Sequence, residues 1–403
     1  MKKRRKKSQS AGKQQLIIML VVMMLVIVSL ASAVVFLYKP GTDNPEELPF
    51  STDTAPSVST DTQTGTPSTG DVTAETTGSN TPSGPVYKER AEVYNFLLIG
   101  YDRAANLADV VMLVHYDVNA GKVAIMQLPR DTYFAGDSNK PSLNVQFAAY
   151  YNRAYNGREK NPAAIAAEKF AQDMEQNLCI NIHYTAVMDL NGFVDIVNAI
   201  GGVDLYIPYD MEYEDPEQNL YINFKKGQKH LNGADAEKFV RFREGFVQAD
   251  IGRGNAQKLF LAAFIEKAKN SISITNVSML SSLVSEILAN LTTDISAADA
   301  VYFAKNALGV DMSNITMLTV PGDSVGGYFV INRGATLAAI NAHFNVYDND
   351  IIPAIFDKSR KFTSATSTAI AEAYYAENAA LINEFNAQNI RKNSITIPMK
   401  PET

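Results

Sequence analysis

Twenty-three consecutive uncharged residues, Leu16 to Tyr38, divide the chain into parts that cannot belong to one fold. As a helix the run is about 34 Å long, enough to cross a bilayer with some tilt. Its flank, Met1 to Gln15, carries seven Lys or Arg and no acid. Such a flank holds that end in the cytoplasm and sends the remainder across the membrane. The expectation is a basic cytoplasmic tail at 1–15, a transmembrane helix at 16–38 and an extracytoplasmic body. A cleaved signal peptide, cut at Ala31-Ser32-Ala33, is the competing reading; the apolar run continuing through Val34 to Leu37 speaks against it. From 39 to 90 Thr, Ser, Pro, Gly and Asp dominate, without aliphatic periodicity. That composition cannot offset its own ordering entropy and reads as a flexible, disordered linker with a reach on the order of 40 Å.

The net charge is −7, so setting aside the seven basic residues of the tail leaves −14 for the rest. So acidic a body is a poor non-specific ligand for nucleic acid, and any phosphate it binds must be held locally. Cys179 is the only cysteine, which excludes an internal disulfide, and the four histidines show no zinc spacing. With 46% hydrophobic residues the body can fill a sizeable core.

Within the body, apolar runs at Asn95 to Gly100, Val110 to Tyr116 and Lys122 to Leu128 read as strands, the last two joined as a hairpin through Asn119-Ala120-Gly121. Helices are expected at Ala163 to Asn177, Leu190 to Ile200, Ala234 to Phe239, Ala256 to Lys269, Val277 to Leu291, Ala297 to Leu308 and Ala335 to Phe344. Further strands fit Val203 to Ile207, Leu220 to Phe224, Ile315 to Val320 and Tyr328 to Asn332, with a turn over Lys225 to Gly233. This interleaving implies an α/β fold, an αβα layered domain around a central mixed sheet, spanning 91–350. Residues 351–403 read as a C-terminal surface helix and tail.

Three arginines stand out in this acidic body: Arg241, Arg243 and Arg253, in the stretch FVRFREGFVQADIGRGNAQ (Phe239 to Gln257). Arg241 and Arg243, two apart, share a face if the backbone there is extended, with Val240 and Phe242 pointing inward. Asp250 fits a helix start, after which Arg253 and Gln257 lie one turn apart on one side. Guanidinium forks gathered on one surface suit a phosphate or diphosphate; solvated arginines, or pairs with Glu244 and Asp250, are the alternative. Polar residues also crowd the ends of the early strands. Asp102 follows the first, Asp109 precedes the second, and Arg130-Asp131 follows the third. The expected hairpin brings Asp109 near Arg130 and Asp131, as a metal-assisted phosphate site would need; turn capping by Asp102 or Asp131 is the plainer alternative.

Several segments then match in series: NFLLIGYDR (95–103), ADVVMLV (108–114), LPRDTYF (128–134), GGVDLYIPYDMEYEDP (201–216), GQKHLNGADAEKFVRFR (227–243) and ADIGRGNAQ (249–257), with a weaker VPGDSVGGYFVIN (320–332). In them the chain resembles the LytR-CpsA-Psr family of bacterial cell-envelope proteins. The resemblance implies an αβα domain with a hydrophobic pocket for a polyprenyl lipid. It also implies a membrane-anchored phosphotransferase that moves an anionic cell-wall glycopolymer from undecaprenyl diphosphate to peptidoglycan, with Mg2+ or Mn2+, outside a bacterial cell of Gram-positive type. Asp102 and Asp109 match the family's metal-associated acids. Arg130, Arg241, Arg243 and Arg253 match its diphosphate-binding arginines, and Asp250 and Gln257 its supporting polar positions. Asp131 is a further supporting candidate, as is Lys140, which is out of register with the family's lysine. Ala108 and Val110 replace the usual Ser and Thr around Asp109, and Ala256 an Arg. Catalysis is expected from Asp102, Asp109, Arg130 and Arg241, by positioning and charge neutralisation. Hydrolysis of a polyprenyl diphosphate, and non-catalytic binding of lipid-linked glycans that regulates envelope assembly, are the rival functions.

Overall fold

Three apolar runs pair edge to edge at the centre of the molecule: β1 (Val93–Asp102), β2 (Leu107–Asp117) and β3 (Lys122–Leu128). This is a computed structural model, and it describes residues 87–386 apart from 104, 137–139, 217–219, 243–245, 247–248, 272–283, 286, 357–360 and 377–383. The expected cytoplasmic tail, membrane helix and almost all of the linker lie outside these residues. No helix among the described residues is long and apolar enough to cross a membrane.

The hairpin of β2 and β3 forms as expected, Val111 opposite Leu128 and Asp117 opposite Lys122. β1 lies antiparallel to β2 on the other side. Next come α1 (Leu143–Asn156), α2 (Pro162–Leu178), β4 (Tyr184–Asp189) and α3 (Leu190–Ala199). Asn161 caps α2 by accepting from Ala164 N, and Pro162 sits where its missing N–H costs nothing. Two antiparallel pairs follow: β5 (Val203–Ile207) with β8 (Gly227–Leu231), and β6 (Met211–Asp215) with β7 (Leu220–Phe224). The chain continues through α4 (Gly233–Arg241), α5 (Ala249–Ser271), β9 (Thr292–Thr293), α6 (Ala297–Leu308) and β10 (Ile315–Thr319). It closes with β11 (Gly322–Val325), β12 (Tyr328–Ile331), α7 (Arg333–His343), α8 (Pro353–Phe356), α9 (Thr368–Tyr375) and β13 (Glu384–Asn386).

The central sheet runs β13-β10-β3-β2-β1-β4-β9. β1 is parallel to β4 and β3 to β10, while β2 opposes both β1 and β3. The mixed sheet is therefore as expected, and it has a directional consequence. β1, β3, β4 and β10 all end at one rim, where β2 begins. Alternation along the strands divides the core between the two faces. Phe96, Met112 and Val114 pack with α3, α4, α5 and α6, whereas Leu97, Leu113 and Met126 pack with α1, α2 and α7.

Several expectations change. The turn at Lys225 to Gly233 contains strand β8, and α1, β4 and β6 were not foreseen. Of the helix expected at Val277 to Leu291, residues 284–285 and 287–289 are helical and 277–283 and 286 lie outside the described residues. The helix expected at Ala256 to Lys269, α5, has no exposed face from Ala256 to Ile265: every residue there is buried, Gln257 and Lys258 included. The C-terminal segment is not a surface appendage. Phe362, Ile370 and Tyr374 are buried in the same core as Phe134, and β13 extends the sheet beside β10.

Candidate functional site

Asp109 owes its position to one inserted residue. Gly100 pairs with Val110 and Tyr101 with Ala108, so Asp109 is the extra residue of a β-bulge. Regular alternation would carry it to the face of Val111 and Leu113, among the buried side chains under α1 and α2. The bulge reverses the alternation: Ala108 enters that core instead, and Asp109 reaches the opposite side, where it lines a cavity. Asp109 thus lies inside β2 and not before it, and Asp102 is the last residue of β1.

Arg130 follows β3 in a turn fastened to the start of α1: Asn144 N donates to Arg130 O (3.1 Å) and Leu143 N to Thr132 O (3.0 Å). From there its Nη1 reaches Asp109 Oδ1 at 2.7 Å and its Nε reaches Asp131 Oδ2 at 3.4 Å. The juxtaposition expected from the hairpin is therefore met. Arg253 and Gln257 come from the first turns of α5, which lies close because Gly252 and Gly254 carry no side chain. A Cβ on Gly252 would fall 2.3 Å from the Phe246 ring, and one on Gly254 2.7 Å from Gln127 Oε1. Gln127 of β3 donates to Gln257 Oε1 (2.6 Å), and Gln257 donates to Val240 O (3.2 Å), tying β3, α5 and α4 together.

These side chains border two connected spaces. The larger, about 170 Å³, is almost wholly apolar, walled by Leu98, Val110, Met112, Ala186, Phe260 and Phe264 among others. Asp109, Asp189 and Gln257 are its polar lining. Asp109 and Gln257 also line the second space, a narrow cleft with Gln127, Arg130, Arg253, Gly254 and Thr319. An apolar chamber thus meets a cationic cleft at two shared residues.

Other candidates fall differently. Arg241 is not in an extended segment; it ends α4 and pairs with Glu237 one turn back, at 2.7 Å. Phe242, the residue after the helix, is buried. Arg241 still lies beside the chamber, since its neighbour Val240 lines it. Arg243 lies outside the described residues, and Asp250 is placed only as backbone in the first turn of α5. Asp102 is half-buried at the rim and lines neither space, and Lys140 is exposed before α1.

Four residues were missed. Asp189, at the end of β4, caps α3 by accepting from Gly192 N and is ion-paired with Arg103. Gln127 and the half-buried Thr319 line the cleft, and the buried Lys258 stands behind them, its Nζ donating to Thr319 Oγ1 at 2.8 Å. Burial pushes the Lys258 ammonium down to about 7. Asp189 was legible as an acid before a helical pattern; the other three sit in apolar runs and gave no signal.

A model of the LytR_cpsA_psr family matches residues 56–344. The chain belongs to that family. Among its curated relatives, the polyisoprenyl-teichoic acid–peptidoglycan teichoic acid transferase TagV of Bacillus subtilis is 28% identical over 221 residues, 54% of this chain and 52% of TagV. The like-named TagU of Bacillus cereus is 28% identical over 240 residues, 58% of this chain and 70% of TagU. The chain thus spans only about half the length of TagV. Among solved structures, the Streptococcus agalactiae protein gbs0355 is 19% identical, with a TM-score of 0.50 over 62% of this chain and 86% of that one, a likeness of fold.

The structure gives the three substituted positions, Ala108, Val110 and Ala256, distinct settings. Ala108 and Ala256 are fully buried, the first under α1 and α2, the second in the opposite core. Val110 lines the apolar chamber, where a hydroxyl would need a partner.

Proposed function

We propose that this chain is a membrane-anchored glycopolymer phosphotransferase, which takes an anionic cell-wall glycan from a polyprenyl diphosphate carrier and attaches it to peptidoglycan. The observation that carries the reading is the junction of chamber and cleft: apolar walls continue at Asp109 and Gln257 into a cleft lined by Arg130 and Arg253. A molecule with an apolar tail and an anionic head matches both parts at once, the tail by burial and the head by charge-assisted hydrogen bonds. The names of the relatives, polyisoprenyl-teichoic acid–peptidoglycan transferases, support the same substrate class.

In this reading Arg130 and Arg253 neutralise the phosphoryl oxygens, and Asp109 holds Arg130 in place until substrate arrives. Gln257 orients the head at the mouth. Arg241, at the end of α4, and Arg243 add positive charge, Asp131 holds Arg130, and Asp250 is a further supporting candidate. A hydroxyl of the acceptor sugar attacks the phosphorus that bears the glycan; the bond from that phosphorus to the bridging oxygen breaks, and polyprenyl phosphate leaves. The acceptor proton passes to a carboxylate at the rim, Asp102 or Asp109.

The donor set also fits a magnesium ion. Magnesium takes one or two carboxylates and completes its shell with water and substrate phosphate, and Asp102 and Asp109 stand on paired strands at the same rim. No group of three or more acids, histidines or cysteines capable of holding an ion occurs among the described residues, so substrate oxygens would complete the coordination. Bound there, the ion would offset charge on the diphosphate. The anchor at 16–38 and linker at 39–90 would keep this body outside the cell, within reach of lipid carriers.

The test uses the full-length protein in detergent, a lipid diphosphate glycan, magnesium and peptidoglycan. Attachment is expected, with chelation of the ion and Arg130→Gln each reducing it 100-fold or more. Absence of turnover would overturn the reading; release of glycan phosphate regardless of acceptor would identify a hydrolase.

A further inference from the structure

Lys258 is only 1% exposed, yet it carries an ammonium between Ala256 and Ile265, a stretch of α5 that is buried throughout. A buried lysine is costly relative to an apolar side chain of similar volume, so packing alone does not account for it. What it touches gives it a place in the site. Its Nζ donates to Oγ1 of Thr319 at 2.8 Å, and Thr319 is the last residue of β10, at the rim where β1 and β3 also end. Thr319 forms part of the wall of the cleft that Arg130 and Arg253 line.

The chemistry of the pair is directional. An ammonium has three protons and no lone pair, so the threonine oxygen can only accept from it. The hydroxyl proton is then released from competing roles and can be donated into the cleft. We propose that Lys258 is a positioning residue that fixes the Thr319 hydroxyl as a hydrogen-bond donor to a phosphoryl oxygen of the bound diphosphate. The inference rests on the diphosphate reading above and adds to it a neutral donor opposite the arginines, on the β10 side of the cleft. Two opposed effects set the state of Lys258. Burial weakens its ammonium in the free protein, and negative oxygens arriving in the cleft strengthen it, so the donor arrangement is firmest when ligand is present.

The experiment measures binding of geranylgeranyl diphosphate to the full-length protein by calorimetry, with geranylgeraniol as a headless probe of the chamber. Thr319→Val, which keeps the shape and removes the hydroxyl, should weaken the diphosphate about tenfold or more and leave the alcohol unchanged. Thr319→Ser should restore binding to within about threefold. Lys258→Met should weaken the diphosphate similarly, and adding it to Thr319→Val should cost little more, because both act through one contact. A merely structural role would not give rescue by serine or a loss confined to the phosphorylated probe. If the unaltered protein binds the diphosphate and Thr319→Val binds it equally well, this inference falls while the substrate reading stands. If the unaltered protein binds neither probe, both fall. Should Lys258→Met fail to fold, as its melting curve would reveal, the valine and serine variants decide alone.

Discussion

Filling the apolar chamber should stabilise the protein and block its ligand at once, which ordinary core packing would not do. Ala186 on β4 lines the chamber and is 4% exposed. Ala186→Leu adds three carbons to the space. At about 0.8 kcal/mol per buried methylene the gain has a ceiling near 2.4 kcal/mol. A second bound comes from the void itself: at roughly 24 cal/mol per Å³, a chamber of about 170 Å³ holds about 4 kcal/mol of unrealised contact. Part of the space opens to the surface and cannot be filled by one side chain, so an increase of about 1–2 kcal/mol is expected, read as a higher urea midpoint at unchanged m-value. The same leucine removes room that a prenyl chain would fill. Binding of geranylgeranyl diphosphate should fall tenfold or more, while inorganic pyrophosphate, which needs only the cleft, should bind as before. A stability gain with undiminished binding of the prenyl ligand would refute the chamber as the lipid site. A stability loss would show that the space cannot accept three carbons, and the argument from its volume would fail.

Two further outcomes follow from the fold. His115 is buried against Asn95 Oδ1 (2.8 Å), and burial lowers its pKa to about 3. Below the unfolded value of about 6.5 the unfolded chain binds the extra proton, so stability falls with falling pH, by about 2 kcal/mol between pH 7 and 5. His115→Gln should lose correspondingly less in urea melts over that interval; equal losses would refute the assignment. Ending the chain at Asp357 removes Phe362, Ile370 and Tyr374 from the core together with β13. At about 1.5–3 kcal/mol for each large side chain, this approaches the whole net stability of a domain, and circular dichroism should show an unfolded protein. A truncated chain with a native spectrum and melting curve would show the tail to be dispensable.

Sequence sufficed where chemistry is local. Asn161-Pro162 opens α2 and the glycines Gly201 and Gly202 follow α3 with φ of 75° and 78°, both readable as caps and breaks. Because the β2–β3 hairpin was legible, so was the meeting of Asp109 with Arg130. Arg241 was misplaced for a definite reason: alternation of Val240, Arg241, Phe242 and Arg243 suggested a strand, but Asn232 caps a helix by accepting from Asp235 N, and that helix runs to Arg241. A capped helix overrides a short period-two pattern at its end. The tail was read as a surface helix because only Ile370 and Tyr374 of α9 are buried, and their partners lie far away in sequence. Lys258 and Thr319 were invisible for the same reason, since their relation exists only once α5 crosses the end of β10.

The bulge at Asp109 is where sequence and site meet most directly. A bulge needs its partner strand to tolerate crowding, and Gly100 stands opposite: a Cβ there would lie 3.1 Å from Val110 Cβ. Reversed alternation sends residue 108 into the dry core under α1 and α2, where a serine hydroxyl would require a partner and alanine requires none. The same reversal leaves Val110 facing the chamber, adding apolar wall beside the carboxylate. The two substitutions flanking Asp109 therefore remove hydroxyls from positions that point to apolar surroundings on opposite sides of the sheet. Asp109 itself keeps its contact with Arg130 and its place at the junction of chamber and cleft. Judged by where these side chains go, the two substitutions beside Asp109 alter packing around the site and leave the contact of Asp109 with Arg130 in place.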